Sequence, residues 1–199
     1  MNYFISTGEL SGDLHASYIV EKIKNLDKNA KVYAIGGMNL KKQDVEIVRD
    51  IDSLAIMGFV EVVKNFNFLK KVLEETVEFI LSNNIDRVVL VDYGGFNLKL
   101  LERLKLKKPS LKITYYIPPK VWIWGKKRVP KIAKADEILV IFPWEVDFYK
   151  KENVKALYFG NPFMEKYEKI TKKGDNILLL PGSRKQEIRT LIPVMLKVV

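Results

Sequence analysis

Two carboxylates stand at or shortly after the ends of apolar runs that have the length and composition of β-strands. Glu9 follows the run from Tyr3 to Ser6, and Asp92 follows the run from Val88 to Val91. Ligands of open α/β sheets bind beyond the carboxyl ends of the strands, so both side chains are expected at the binding edge. Burial at the end of an apolar strand raises a carboxyl pKa and suits general-base chemistry. The structural alternatives are a tight turn at Glu9 and a helix cap at Asp92.

The turn around Glu9 has the composition of an anion-binding loop. In Gly8-Glu9-Leu10-Ser11-Gly12-Asp13, the glycines allow close backbone approach, and Ser11 or Asp13 can cap the amides of the helix that follows. A helix N-terminus also favours an anion. The turn lacks the Gly-x-Gly-x-x-Gly spacing of dinucleotide-binding folds, so no nucleotide cofactor is indicated.

An aromatic and proline-rich run, Tyr115 to Gly125, contains Pro118, Pro119, Trp122 and Trp124. Such side chains either wall a sugar or acyl pocket or plug the base of a loop, and the sequence does not separate these readings. The basic run Lys126-Lys127-Arg128 follows at a predicted helix start, where a phosphate-binding role is a weak expectation.

The segment from Ala55 to Lys71 is apolar on several sides if it is helical. It is therefore either buried or inserted in a membrane interface, and burial is the commoner explanation. Its candidate membrane-contact residues are Met57, Phe59, Val60, Val63, Phe66 and Leu69.

Short β-branched runs alternate with longer amphipathic segments, which predicts a doubly wound, Rossmann-like α/β fold with a parallel sheet. The predicted strands are Tyr3 to Ser6, Lys31 to Ile35, Arg87 to Val91, Lys112 to Ile117, Glu137 to Ile141 and Ala156 to Phe159. The predicted helices are Asp13 to Leu26, Phe59 to Leu81, Phe96 to Leu106, Lys126 to Lys134 and Glu145 to Lys151.

Composition changes after Phe159 and predicts three parts: a domain over residues 1–160, a linker over 161–175 and the start of a second domain over 176–199. Asn176 to Leu180 is predicted to be a buried strand and Gln186 to Val199 a helix. One strand and one helix cannot cover a parallel sheet, so the second domain is expected to be truncated. The alternative is that this strand and helix pack on the first domain or on another copy of the chain. Its apolar faces predict self-association.

Composition excludes several functional classes. The 199 residues include no Cys and one His, His15, which excludes disulfides, thiolate metal sites and a His cluster, and no metal or other cofactor is predicted. The first residues do not form a signal peptide, and the apolar runs are too short to span a bilayer. A net charge of +10 favours polyanions or simply reflects solubilising lysines. No nucleic-acid partner is predicted, because recognition motifs are missing.

Taken in order, these motifs resemble the lipid-A-disaccharide synthases. The resemblance covers nearly the whole chain, and its motifs are Gly8 to His15, Ile35 to Gly37, Ala55 to Val62, Val91 to Tyr93 with Phe96-Asn97, Tyr116 to Trp124, Phe142 to Glu145 with Phe148-Tyr149, and Leu180 to Ile188. Each motif is weak alone, but the ordered set is highly specific.

The resemblance implies the amino-terminal domain of a two-domain GT-B fold, with the acceptor bound mainly by the first domain and the nucleotide by the second. It implies transfer of 2,3-diacylglucosamine from its UDP derivative to the 6-hydroxyl of 2,3-diacylglucosamine 1-phosphate. The reaction inverts the anomeric centre and forms a β-1,6 disaccharide without a metal. The implied location is cytoplasmic and peripheral, on the cytoplasmic face of the inner membrane, against an anionic surface.

The resemblance also assigns residues. Asp92 matches the candidate general base, and Glu9 is the second catalytic candidate. The predicted substrate-binding residues are Ser11, Gly12, Asp13, Asn97, Trp122 and Arg184. The segment from Met57 to Leu69 aligns with a region linked to membrane contact, which shifts the interpretation of that segment towards the membrane.

This chain departs from the family pattern at three sites. Gly95 stands where a second carboxylate is usual, Pro118 and Lys120 replace two serines, and Asn161 replaces a histidine. No donor-site motif of the second domain occurs by residue 199, so the chain alone is expected to lack transferase activity. The alternative function is a non-catalytic, membrane-docking lipid-binding module.

Overall fold

The computed structural model describes residues 1–55, 66–123, 125–166, 174–182 and 185–198, in two compact units, Met1–Glu165 and Lys166–Val199. The strands are β1 Asn2–Ser6, β2 Lys31–Gly36, β3 Glu46–Asp50, β4 Arg87–Val91, β5 Lys112–Tyr116, β6 Glu137–Val140 and β7 Leu157–Tyr158. The α-helices are α1 Leu10–Leu26, α2 Met38–Lys41, α3 Asp52–Ala55, α4 Phe66–Ser82, α5 Gly94–Lys107, α6 Val129–Ile132, α7 Pro143–Lys151 and α8 Lys185–Met195. Short 3-10 helices span Lys126–Arg128 and Pro162–Lys166.

The first unit is built on a parallel sheet. Its seven described strands have the order β3-β2-β1-β4-β5-β6-β7, and every neighbouring pair is parallel. The chain runs outward from β1 to β3, returns to β4 beside β1, and then runs outward to β7. This reversal makes a topological switch point between β1 and β4, the kind of position at which ligands of open α/β sheets bind.

Apolar side chains of β4 enter the core on both faces of the sheet. Val88 and Leu90 belong to one buried cluster, and Val89 and Val91 belong to the other. Side chains alternate along a strand, so both faces of this strand are covered, as in other parallel sheets. Helices α4 and α5 contribute to the first cluster, and α1 contributes to the second. The predicted doubly wound α/β fold is thus confirmed.

One strand and two α-helices were not predicted from the sequence: β3, α2 and α3. The 3-10 helix Pro162–Lys166, which lies in the predicted linker, was not predicted either. The β3 segment, Glu46–Asp50, has the sequence EIVRD and lies at a sheet edge, where all five of its residues are exposed or half-buried. It therefore lacks the long apolar run that marks the central strands. Helices α2 and α3 have four residues each, too few for a helical period to be visible.

The prediction of a buried strand at Asn176 to Leu180 is wrong. These residues have no regular secondary structure, and Ile177, Leu178 and Leu180 are 70–78% exposed. A parallel strand requires neighbouring strands for its backbone hydrogen bonds. Beyond Lys166, the only regular element of the described residues is α8, so the run has no strand to pair with.

Candidate active site

Asp92 lies immediately after β4, at the switch point of the sheet. It is half-buried, and its backbone is left-handed, with φ of 48°. Burial raises the pKa of its carboxyl group, and the charge of Glu9 raises that pKa further. A hydrogen bond from the Tyr93 amide and the charge of Lys120 lower the pKa, but they do not cancel the increase. Asp92 therefore has a raised pKa in a partly desolvated position, which suits a general base.

Glu9 lies on the neighbouring strand end, between β1 and α1. It is exposed, and its backbone is extended where the helix begins. Its charge acts on Asp92, and, after burial, it is the second cause of the raised pKa of the Tyr93 hydroxyl. The structure therefore brings together the two carboxylates that the sequence analysis selected.

Close packing joins the turns that carry these carboxylates. A Cβ added to Gly8 would overlap the ring of Tyr93, and that ring stacks on Phe96 with centroids 5.6 Å apart. Gly12 is also buried, with Thr7 Oγ1 3.0 Å from the position of an added Cβ. Ser11 is exposed on the outer side of the turn. The small residues thus let the β1 turn lie directly against the β4 turn.

Asp13, predicted to contact substrate, lies behind this turn. Its carboxylate is fully buried and accepts backbone N–H groups of Gly37 at 2.6 Å and Asn39 at 2.8 Å, with Leu40 at 3.4 Å. These donors lie at the start of α2, where backbone N–H groups have no partner within the helix. The structure therefore gives Asp13 the role of fixing the β2–α2 turn to α1.

Asn97 is also fully buried, and it joins the ends of β1 and β4. Its Oδ1 accepts from Ser6 Oγ at 2.6 Å, and its Nδ2 donates to the carbonyls of Asp92 at 2.9 Å, Ser6 at 3.2 Å and Val91 at 3.3 Å. The Asp92 carbonyl also accepts from Tyr115 Oη at 3.1 Å.

These bonds oppose a strained backbone. Asp92 and Tyr93 both have left-handed φ values, 48° and 47°. A left-handed residue other than glycine costs about 1–3 kcal/mol. Hydrogen bonds contribute about 0.5–1.5 kcal/mol each, so the bonds from Asn97 and Tyr115 are of the size needed to offset that strain. Tyr115 was not selected from the sequence, because its contact depends on the β4–β5 register, in which Leu90 pairs with Tyr115.

Trp122 lies in the loop after β5, and a residue of α7 accepts a hydrogen bond from its side chain. Its Nε1 donates to Glu145 Oε1 at 3.0 Å, and Glu145 Oε2 accepts from the Phe142 amide at 3.1 Å. The Trp122 ring meets Trp144 edge-on at 6.2 Å. Trp122 is 36% exposed and Trp144 51% exposed, so the two rings present an aromatic surface beside the buried carboxylate of Glu145. The sequence analysis missed Glu145, although its place three residues after Phe142 is that of a capping glutamate.

His15 is a buried residue of α1 rather than part of a metal cluster. Its ring meets Phe163 edge-on at 4.9 Å, and burial lowers the pKa of the imidazole. In the part of the chain that the structure describes, no group of three or more His, Cys, Asp or Glu side chains is placed to hold a metal ion.

Several predicted site residues lie outside the described residues: Arg184, Met57, Phe59, Val60 and Val63. Phe66 is the first residue of α4. Leu69, on the same helix, is half-buried and packs against the first buried cluster, which contains Val88 and Leu90. No helix within the described ranges is long and apolar enough to cross a membrane.

Solved structures first define the class of protein. UDP-GlcNAc 2-epimerase from Neisseria meningitidis bound to UDP-GlcNAc matches with a TM-score of 0.59 at 10% identity, over 81% of this chain and 46% of that one. MurG from Acinetobacter baumannii matches with a TM-score of 0.50 at 11% identity, over 81% and 45%. At these identities the likeness shows the fold alone, which is the Rossmann-like α/β domain of GT-B-type proteins.

Sequence similarity then defines the family. The family model for lipid-A-disaccharide synthetase matches residues 3–199, and the chain belongs to this family. Lipid-A-disaccharide synthases of Persephonella marina and Geobacter metallireducens are 35% and 34% identical to it, over 97% of this chain and 53% of each relative. The chain therefore spans about half the length of the curated relatives it matches.

Proposed function

We propose that this chain forms the acceptor-binding half of a glycosyltransferase of lipid A biosynthesis. The reaction is transfer of 2,3-diacylglucosamine from its UDP derivative to the 6-hydroxyl of 2,3-diacylglucosamine 1-phosphate, with inversion and formation of a β-1,6 linkage. Residues 1–160 form the acceptor side, 161–175 the linker and 176–199 the start of the donor side. The 199 residues alone are inactive in this proposal, because the relatives they match are about twice as long.

The observation that carries the proposal is the position of Asp92. Its carboxylate accepts the proton of the acceptor 6-hydroxyl while that oxygen attacks the anomeric carbon of the donor. The bond from the anomeric carbon to the UDP oxygen breaks, and its electron pair leaves with UDP. A raised pKa makes ionised Asp92 a stronger base than an ordinary Asp carboxylate. Arg184 is proposed to stabilise the charge of the departing diphosphate.

Other residues shape the acceptor side in this proposal. Glu9 supports catalysis by raising the pKa of the base, and the exposed Ser11 contacts the acceptor beside the β1 turn. Gly12 is buried and lets that turn pack closely. Trp122 supplies an apolar face for the sugar or an acyl chain. Asp13 and Asn97 act by positioning the turns, since both are fully buried.

The proposed location follows from the proposed substrates, which are lipids. The protein is cytoplasmic and peripheral on the cytoplasmic face of the inner membrane, with the segment from Met57 to Leu69 at the anionic surface. Leu69 contributes least to this contact, because it packs against the core. Self-association through exposed apolar residues beyond Lys166 is part of the same proposal.

The decisive experiment replaces Asp92 by Asn in the protein expressed from its complete reading frame. Asp92→Asn removes the base and keeps the shape, so turnover of the named donor and acceptor should fall by about 10²- to 10⁴-fold. Circular dichroism should match that of the wild type. Asp86→Asn is the matched control: Asp86 lies at the opposite end of β4 and should leave turnover unchanged. Wild-type turnover by Asp92→Asn would remove Asp92 from the mechanism.

A further inference from the structure

We propose that the hydroxyl of Tyr115 is a positioning group for the reaction, which fixes the backbone of Asp92 and thereby aims its carboxylate. The inference rests on the proposed function for its catalytic consequence, but the structural contact stands independently. Tyr115 does not touch substrate in this proposal, because its side chain is fully buried in the core of the sheet.

The backbone at the proposed base is strained. Asp92 and its successor Tyr93 both have positive φ, a conformation that residues other than glycine keep only when their surroundings enforce it. If the carbonyl of Asp92 were released, the local backbone would gain by returning to an extended or right-handed conformation. The carboxylate would then leave the half-buried position beside Glu9.

Hydrogen bonds on both sides of Asp92 enforce this conformation. The Asp92 amide donates to the Tyr116 carbonyl at 3.1 Å, which fixes the peptide on the strand side. On the other side, the Asp92 carbonyl accepts Asn97 Nδ2 at 2.9 Å and Tyr115 Oη at 3.1 Å. Asn97 Nδ2 also donates to two other carbonyls. Among the described residues, the Tyr115 hydroxyl donates to the Asp92 carbonyl alone.

The role proposed for Tyr115 requires its hydroxyl group. A phenylalanine at position 115 would fill the same core volume, so packing does not require the hydroxyl. Burial of that hydroxyl raises the pKa of Tyr115 well above its ordinary value, which keeps it protonated and able to donate. The hydroxyl therefore acts on the one group it contacts, the backbone of the proposed base.

The test compares Tyr115→Phe with Tyr149→Phe in the protein from its complete reading frame. Tyr149 is the matched control, because its buried hydroxyl belongs to the same core cluster and has no hydrogen-bond partner among the described residues. Tyr115→Phe should lower kcat about tenfold, ~1.4 kcal/mol, with both KM values changed by about twofold at most. Tyr149→Phe should leave kcat and the KM values unchanged.

Two further measurements distinguish positioning from a general loss of stability. In the Asp92→Asn background, Tyr115→Phe should have no further effect on the residual rate, because the hydroxyl acts only through Asp92. The acid limb of the kcat/KM profile should also move to lower pH in Tyr115→Phe, as the carboxyl becomes more exposed. Equal rates for Tyr115→Phe and wild type, or additive losses with Asp92→Asn, would overturn the proposal.

An NMR titration separates this inference from the proposed function. With carbon-13 in the Asp side chains, the Asp92 carboxyl should titrate at lower pH in Tyr115→Phe than in the wild type, and at unchanged pH in Tyr149→Phe. This result does not require transferase activity. If the wild type transfers no sugar but the titration shifts, the proposed function fails and the positioning contact survives. If the Asp92 titration does not shift in Tyr115→Phe, the positioning role of Tyr115 is refuted, whether or not the protein has transferase activity.

Discussion

The raised pKa that suits Asp92 to act as a base also lowers the stability of the folded state when Asp92 is ionised. Burial raises its pKa by disfavouring the ionised form, and Glu9 adds a second negative charge nearby. Ionised Asp92 therefore destabilises the folded chain relative to the unfolded chain, in which its pKa is ordinary. Functional sites commonly contain groups that are unfavourable for stability in this way.

This penalty gives a pH-dependent prediction at the residue scale. Below the ordinary Asp pKa of 3.8, Asp92 is protonated in both states and the penalty is absent. As pH rises through the raised folded-state pKa, the penalty develops fully and wild-type stability falls relative to Asp92→Asn. Chemical denaturation between about pH 4 and pH 8 should show Asp92→Asn becoming progressively more stable than the wild type, by a margin that then levels off.

Asp136→Asn is a control for which the opposite change in stability with pH is expected. Burial acts to raise the pKa of Asp136, but hydrogen bonds from Lys105 Nζ at 2.6 Å and the Ile113 amide at 2.8 Å outweigh it and hold that pKa below its ordinary value. Ionised Asp136 thus stabilises the fold above its ordinary pKa, and stability is lost as pH falls through the lowered one. Asp136→Asn should be less stable than the wild type at neutral pH. A loss of stability in Asp92→Asn across the same range would contradict the argument for Asp92.

At the scale of elements, the site depends on turns that approach closer than ordinary side chains allow. A Cβ on Gly8 would overlap the Tyr93 ring, and one on Gly94 would overlap Pro119. The first contact joins the loops after β1 and β4, and the second joins the loops after β4 and β5. The turns therefore pack as one surface at the carboxyl edge of the sheet.

Gly8→Ala should disturb this surface. Because the added methyl group must displace the Tyr93 ring, the free energy of unfolding should fall by about 1–3 kcal/mol, and turnover should fall with it. Gly95→Ala is the matched control, since no atom lies within 4 Å of its added Cβ. In helix α5, alanine is favoured over glycine, so Gly95→Ala should be neutral or gain up to about 1 kcal/mol. Equal stability changes in the two variants, measured by chemical denaturation, would count against this packing.

The sequence predicted the elements with strong local signals and missed those that depend on tertiary context. Arg87–Val91 is a strand of β-branched residues buried on both faces, and its predicted bounds match the structure. The run from Asn176 to Leu180 is also apolar, but a strand needs neighbours, and the described residues beyond Lys166 provide none. Composition identifies what a segment can form, whereas pairing decides what it does form.

The same limit applies to the site. The positions of Glu9 and Asp92 after apolar strands predicted that both reach the binding edge, because parallel strands end on one side of a sheet. The roles of Asp13, Asn97 and Tyr115 depend on which backbone groups lie opposite their side chains. Strand register and left-handed turns determine those neighbours, and neither is visible in residue type or spacing.

At the scale of the whole molecule, a net charge of +10 makes anionic surfaces electrostatically attractive. Attraction between exposed charges is screened over about 10 Å at 0.1 M salt, whereas insertion of apolar side chains is much less sensitive to salt. The proposed membrane contact combines both contributions, so they can be separated by experiment.

Vesicle co-sedimentation provides the test. Binding to vesicles that contain anionic lipid should exceed binding to neutral vesicles, and it should weaken as salt is raised. Phe66→Asp should lower binding about tenfold or more by removing an inserted ring. Phe159→Asp introduces the same charge change at a residue that is 82% exposed outside the proposed segment, and it should have only a small effect. Binding that is insensitive to salt and to Phe66→Asp would refute the membrane contact.

The two edge strands of the sheet, β3 and β7, affect how copies of the chain can associate. At one edge, β7 is only two residues long, and at the other, β3 carries Glu46, Arg49 and Asp50 in a five-residue strand. Short strands and charged residues at an edge oppose the addition of a strand from another molecule. Growth of this sheet from one chain into the next is therefore opposed at both described edges, so association between copies is expected through surfaces other than the sheet edges.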